Sequence, residues 1–551
     1  MRLTVASLVA CALGSAGCCV PCAPCRCPET ACAPACAPPA APVPDDAGTL
    51  AVERRAADSR VALDDAHRAM LALPRLVAGL GDEQGARARG QHVGISEIGV
   101  EAAMRLGDAA EATYFLESGR AGSLLEALGG RAALRGAVVP EDLRRAEADA
   151  RKAEGDAFVA YDRARAQGDL SAVRAAHEAV VRAQGRVLDA AERSEREAKA
   201  QARLQYPVAM PVEGIQGLLA PGDVLVTYGL FEKTSMAIVT TRQAARIVPL
   251  GETARIVSAC AALADADASS DWVAPLSQLR SLLIEPLALG NDTRRLLVSA
   301  DGSLFRVPFA ALVDAVAVGY VPSGTAYGVL QEDRAKRGEG VLALGDPDRM
   351  GKPGSAGDGS ARFARLSGAG AEARAVGDLV LLGADATEGG LAAALATRPR
   401  WRAVHFATYV VIDEARPRLT SAVLAGDAKD DGFLRAFEVS RSSTDADLVV
   451  LSACDSARGT VYPGEGLFCL PRAFLCSGVP RVIGSLWKVD DEATKALMVE
   501  FYRLWNPKEG KPGLPTAEAL RKAQEFVRDD PKHPRWKHPY YWAAWVQWGL
   551  P

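Results

Sequence analysis

The chain has 551 residues, 49% of them hydrophobic and 24% charged, with 64 basic against 68 acidic side chains. That length exceeds one hydrophobic core and calls for roughly two to four units, while the composition excludes a largely disordered chain. A formal charge of −4 gives no reason to expect nucleic acid or an anionic membrane as partner, although a local basic patch would not show in the total.

At the N-terminus, Arg2 precedes an apolar run from Leu3 to Leu13 and the small residues 14–17, which reads as a signal peptide over 1–17. The run is shorter than the ~20 residues a membrane-spanning helix needs. Small residues ahead of Cys18 also resemble a bacterial lipoprotein signal, which implies membrane anchoring by a lipidated Cys18. The expected location is therefore exported, periplasmic or anchored in the cell envelope, and cytoplasmic if the leader does not function. Residues 18–45, dense in Cys, Pro and Ala, cannot build a core and read as a tether. Eight of the 12 cysteines fall in the first 36 residues, leaving Cys260, Cys454, Cys469 and Cys476, so no disulfide framework is expected beyond the tether. Cys22 and Cys25 with Cys27 have zinc-like spacing, but no second pair follows, and neither a metal nor a cofactor is expected.

Residues 46–205 are rich in Ala, Arg, Glu and Leu, which predicts an all-α region. Pro140-Glu141-Asp142 marks a helix start and Gly168-Asp169 a break, giving two long helices over 141–167 and 170–204 folded as an antiparallel hairpin. Ala112 to Leu128 resembles one helix of a tetratricopeptide-type repeat, without a recurring 34-residue period. The TPR-like region is thus either a helical spacer or a peptide-binding surface.

From residue 206 the pattern changes. β-rich runs over Asp223–Phe231 and Ser235–Thr241 are followed by a helical stretch to about Leu289. Buried-type strands then alternate with helices: Leu296–Ser299, Val341–Gly345, Leu379–Leu382, Ala403–Val411, Leu448–Ser452 and Arg481–Leu486. This alternation predicts an α/β domain, a mostly parallel sheet with helices on both faces, whose chemistry lies past the carboxyl ends of the strands. Residues 346–370, rich in Gly, Ser and Asp, are expected to be an exposed loop.

Leu448 to Leu451 is a buried strand and Ser452 to Gly459 its exit turn, which holds Cys454 at a strand tip. A cysteine there is placed to attack a carbonyl; a cysteine is also a common core residue, and periodicity alone does not separate the two.

The ordered motifs ADLVVLSACDSARG, Gly464-Glu465-Gly466-Leu467, Pro471-Arg472-Ala473-Phe474 and Gly484 to Thr494 resemble the CHAT domain, a caspase- and separase-related peptidase family. The resemblance runs from Ser299–Phe309 to His538–Ala544 and covers about 206–551. It implies a caspase-like fold after the helical region and a Cys-His dyad with Cys454 as nucleophile. The family's histidine closes a strand in a pattern like His-Phe-Ala-Thr-His-Gly; here the run is His405-Phe406-Ala407-Thr408-Tyr409-Val410, so Tyr409 occupies the expected His position. His405, four residues earlier on a strand, lies about 13 Å from that position and reads as structural rather than catalytic.

The resemblance further implies a protein or peptide partner with Arg or Lys before the cleavage site, met by Asp491 or by its rivals Asp490 and Asp455. Asp490 and Asp491 also directly precede a helix, where they would cap it without any substrate. Two functions follow: a caspase-like cysteine peptidase or peptidase-like signalling module acting through Cys454, or a catalytically inactive pseudopeptidase that serves as an interaction module.

Overall fold

The structure is a computed structural model that describes residues 46–77, 82–120, 122–129, 139–202, 208–264, 266–348, 366–427, 430–507 and 512–551. The signal peptide and tether expected over 1–45 lie outside the described residues, as do residues 349–365 of the predicted loop. The chain divides at Arg54 and Arg55 into a first unit and a second, compact one, Arg55–Pro551. The contacts below belong to the second.

Among the described residues seven helices come first: α1 (Asp46–Val77), α2 (Asp82–Gly90), α3 (Val93–Leu106), α4 (Ala109–Ser118), α5 (Gly122–Gly129), α6 (Glu141–Gln167) and α7 (Leu170–Ala202). The hairpin of α6 and α7 forms as its sequence predicts. Gly168, at φ +74°, ends α6 in the left-handed conformation, and Asp169 Oδ1 accepts from Ser171 N at 2.8 Å to start α7. The single helix expected over 112–128 is instead two, α4 and α5. Its chain turns at Gly119, where the buried Arg120 side chain leaves the helix to donate to the carbonyls of Tyr228, Ser299 and Ala300.

An 11-stranded sheet follows, in the order β3-β2-β1-β4-β5-β16-β15-β12-β8-β6-β7. Its strands are β1 (Asp223–Leu230), β2 (Thr234–Thr240), β3 (Ala245–Glu252), β4 (Arg295–Ser299), β5 (Ala317–Tyr320), β6 (Glu339–Pro347), β7 (Leu379–Gly383), β8 (Trp401–Ala407), β12 (Val449–Ser452), β15 (Arg481–Ser485) and β16 (Trp545–Gly549). Pairing is antiparallel only at β1–β2, β2–β3 and β15–β16 and parallel elsewhere, so the predicted mostly parallel sheet is present. Small ribbons add β9 (Val410–Val411), β10 (Ser421–Val423) and β11 (Phe433–Arg435) in one sheet and β13 (Gly459–Tyr462) with β14 (Gly466–Cys469) in another.

The helical stretch expected up to Leu289 begins with a strand, β3. As an edge strand it carries Arg246, Pro249 and Glu252, which hide its β pattern and blunt the edge. The strand expected over 403–411 stops at Ala407. There the Thr408 hydroxyl donates to Val423 O and Val423 N donates to Tyr409 O at 2.9 Å, which diverts the chain into β9.

Both faces of the sheet are covered. On one, Val341, Ala403, Leu448, Val450 and Ile483 pack under α16 (Asp491–Trp505) and α17 (Thr516–Arg528). On the other, Val404, Phe406, Val449, Leu451 and Val482 meet Phe474 and Leu475 of α15 (Leu470–Cys476). The intervening helices are α8 (Val212–Leu218), α9 (Thr253–Ala261), α10 (Val273–Leu283), α11 (Gly324–Leu330), α12 (Ser367–Val376), α13 (Glu388–Leu395) and α14 (Ala436–Arg441).

Candidate active site

Four neighbouring parallel strands, β15, β12, β8 and β6, end on the same edge of the sheet. The register pairs Ser452 with Ala407, and Ala407 with Gly345. Cys454 and Tyr409 each come two residues after the paired Ser452 and Ala407, so they leave adjacent strand tips side by side. The same register pairs His405 with Val450, four residues before Cys454. At ~3.3 Å per residue that is about 13 Å from the thiol.

The Cys454 turn is pinned by serines. Ser456 Oγ donates to Leu451 O at 2.7 Å and accepts from Ser485 N at 2.9 Å, while Ser485 Oγ donates to Ala453 O at 2.6 Å. Ala457 N reaches Ser485 O at 2.8 Å. This close seam needs the glycine at 484, where a Cβ would sit 3.1 Å from Ser456 Oγ. Directly after the thiol, Asp455 adopts φ +57°, a left-handed conformation that Asp tolerates better than most residues. The sharp turn directs Cys454 away from the core and leaves it partly exposed, whereas Cys260, Cys469 and Cys476 are buried; none of the four is in a disulfide.

Burial pushes the Cys454 thiol up, and the Asp455 and Asp491 carboxylates add to it; the Val489 backbone amide donating to the sulfur, and Lys488, pull the other way without reversing it. The Tyr409 phenol is likewise raised, by burial first and then by Asp491, Cys454 and Asp346. A third group, Tyr540, is raised by burial, Cys454 and Asp490. The segment 538–542 is quoted in the sequence only as a family motif, and nothing in its spacing ties it to the strand tips. It reaches them because Trp487 Nε1, just past β15, donates to Tyr540 O at 3.0 Å.

His405 is fully buried. Its Nε2 lies 3.0 Å from Glu372 Oε1, off the line a hydrogen bond requires, and its Nδ1 lies 3.4 Å from the Tyr502 hydroxyl. The ring stands edge-on to Tyr502 of α16, with Glu372 of α12 beside it.

The three acidic candidates differ in what already engages them. Asp490 caps α16, accepting from Glu492 N at 3.2 Å and Ala493 N at 3.0 Å. Asp455 pairs with Arg458 at 3.0 Å. Asp491 is exposed, faces Tyr409 and Cys454, and makes no hydrogen bond or ion pair among the described residues. Asp346 joins them from the end of β6; it is held at φ +46° by a bulge and accepts from Leu366 N at 2.9 Å. Sequence patterning did not single it out, because it opens a long loop. No group of metal-ligating side chains occurs among the described residues, and none of their helices is long and apolar enough to cross a membrane.

The CHAT domain model matches residues 273–549. Among solved structures, the chain is similar to the separase–securin complex of Saccharomyces cerevisiae, with a TM-score of 0.38 and 10% identity over 92% of this chain and 41% of that one. A second structure of that complex gives 0.32 and 13% over 70% and 25%. The Porphyromonas gingivalis RgpB pro- and mature domains give 0.33 and 11% over 51% and 69%. The chain thus spans between a quarter and about two fifths of the separase chains. No curated protein sequence matches it. The family match takes in just over half the chain, including Cys454, Tyr409 and Asp491, and the chain belongs to the CHAT domain family.

Proposed function

We propose that this CHAT domain is a caspase-like peptidase module that seats a protein or peptide segment over Cys454 and turns it over slowly or not at all. The carrying observation is that the strand tip adjacent to that of Cys454 presents a phenol, Tyr409, and that burial favours the protonated form of both groups. A thiol needs a base to take its proton and an acid to protonate the leaving amine. Tyr409 in this setting is no base near neutral pH and only a weak acid, and His405 is about 13 Å away along β8. An ordinary thiol is roughly 3% thiolate at pH 7, and burial leaves Cys454 with less.

Binding is better provided for than chemistry. Asp491, uncommitted and facing the strand tips, suits an Arg or Lys side chain on the bound segment. In this reading the TPR-like helices over 46–205 accompany the CHAT domain over 206–551, and the leader exports the protein, with Cys18 as its membrane anchor.

A second reading, a working cysteine endopeptidase, is favoured by the Val489 amide and Lys488 beside the sulfur, both of which stabilise a thiolate. One experiment separates the two. Residues 46–551 are incubated with a library of peptides carrying Arg or Lys, as wild type, Cys454→Ala and Tyr409→His. The proposal expects no cleavage by wild type above Cys454→Ala, and cleavage by Tyr409→His at least tenfold above wild type. Efficient cleavage by wild type that Cys454→Ala abolishes would establish the second reading. Peptides held by wild type but not by Asp491→Asn would support the binding role.

A further inference from the structure

The opposite edge of the same four strands carries a different chemistry. Arg400 and Arg402 open β8, Arg481 opens β15, Arg334 and Arg337 precede β6, and the buried Asp447 precedes β12. Asp447 is fully engaged. Its Oδ1 accepts from Arg400 Nε at 2.5 Å, and its Oδ2 accepts from Arg402 Nη1 at 3.0 Å and from Gly338 N at 2.8 Å. That clamp accounts for Arg400 and Arg402 as structural groups. It does not account for Arg481, whose half-buried side chain makes no hydrogen bond or ion pair among the described residues. Burial, with Arg402, Arg400 and Arg334 close by, pushes its guanidinium down to about 10 despite Asp447. Arg402 stacks on Trp505, its Cζ 3.9 Å from the ring centroid, and its buried Nε has no hydrogen-bond partner among the described residues.

Arg400, Arg402 and Arg481 thus gather about one carboxylate whose two oxygens are already engaged, with Arg334 close to Arg481 and Arg337 close to Arg402. Like charges gathered in a partly desolvated place repel unless an anion joins them. Guanidinium forks match the oxygens of phosphate in geometry as well as charge.

We propose that Arg481, Arg334 and the unbonded edge of Arg402 form a binding site for a phosphate-class oxyanion carried by a soluble small molecule, at the strand edge remote from Cys454. The near-neutral total charge conceals this patch, because acidic residues elsewhere offset it. The site is independent of whether Cys454 is active, and its test does not involve cleavage.

The test is thermal unfolding and calorimetric titration of the full chain with inorganic pyrophosphate and separately with ADP, against potassium chloride at matched ionic strength. The expected result is a rise in Tm with pyrophosphate beyond that with chloride, and at least a tenfold loss of affinity in both Arg481→Gln and Arg334→Gln. A response to ADP but not to pyrophosphate would assign the phosphate to a nucleotide. Arg334 is exposed, so its variant folds even if Arg481→Gln does not, and it then decides alone. A wild-type shift no larger than chloride gives, with either probe, or equal affinity in wild type and the variants, would overturn the site.

Discussion

Cys454 is a thiol at a strand tip without a histidine beside it among the described residues, and that has a consequence measurable without knowing any substrate. Its pKa lies above the ordinary value because burial and two carboxylates disfavour the thiolate. The thiolate is the species that reacts, so the alkylation rate of Cys454 by iodoacetamide should rise with pH and reach half its plateau above the midpoint of a free cysteine. Each unit of upward shift slows the reaction about tenfold at pH 7. In the chain of residues 46–551, Tyr409→His should move that midpoint down, since an imidazolium at the adjacent strand tip favours the thiolate. A wild-type midpoint below that of a free cysteine would contradict the account. The neighbouring Asp455 takes part in the turn, its left-handed backbone at φ +57° bending the chain directly after Cys454.

Among the elements, α16 separates two adjacent acids that the sequence offers together. Asp490 is its N-cap, and Asp490→Ala should cost about 1 kcal/mol in urea denaturation while Asp490→Ser restores most of it. Asp491→Asn, on an exposed first-turn residue, should leave stability within about 0.5 kcal/mol and weaken only the binding of basic peptides. If both variants lost stability equally, Asp491 would be a structural residue. The sequence contained both readings, cap and substrate carboxylate; spacing does not say which side chain folds back onto its own helix. β8 teaches a similar lesson. Its apolar run reads on to Val411, yet the strand ends at Ala407 because β10 offers better partners to the backbone beyond it.

At the scale of the molecule, the helices and the sheet are joined by polar bonds as well as by apolar area. Glu117 accepts from Gly324 N at 2.8 Å and from Thr325 N and Oγ1 at 2.7 Å, Arg120 donates into the ends of β1 and β4, and the buried Arg89 pairs with Glu465. Val100, Phe115 and Leu116 bury Phe231, Met236 and Ile238 of the first strands. The chain from Arg55 on is one compact unit. Residues 206–551 alone would expose that apolar face and orphan these partners, so the fragment should aggregate or melt well below the chain of residues 46–551, which should melt in one calorimetric transition. Two separate transitions in the longer chain would show the helices to be an independent domain. What the sequence by itself determined is whatever rests on near neighbours: the α6–α7 break at Gly168-Asp169, the buried strands and the turn that carries Cys454. Only the tertiary structure decided which distant segments meet. It inserted β16 between two parallel blocks, brought Tyr540 to Cys454, left Asp491 uncommitted while capping with Asp490, and gathered Arg334, Arg402 and Arg481 at one edge. Periodicity reports which face of an element is buried, whereas pairing across the sheet is set by packing between residues tens to hundreds of positions apart.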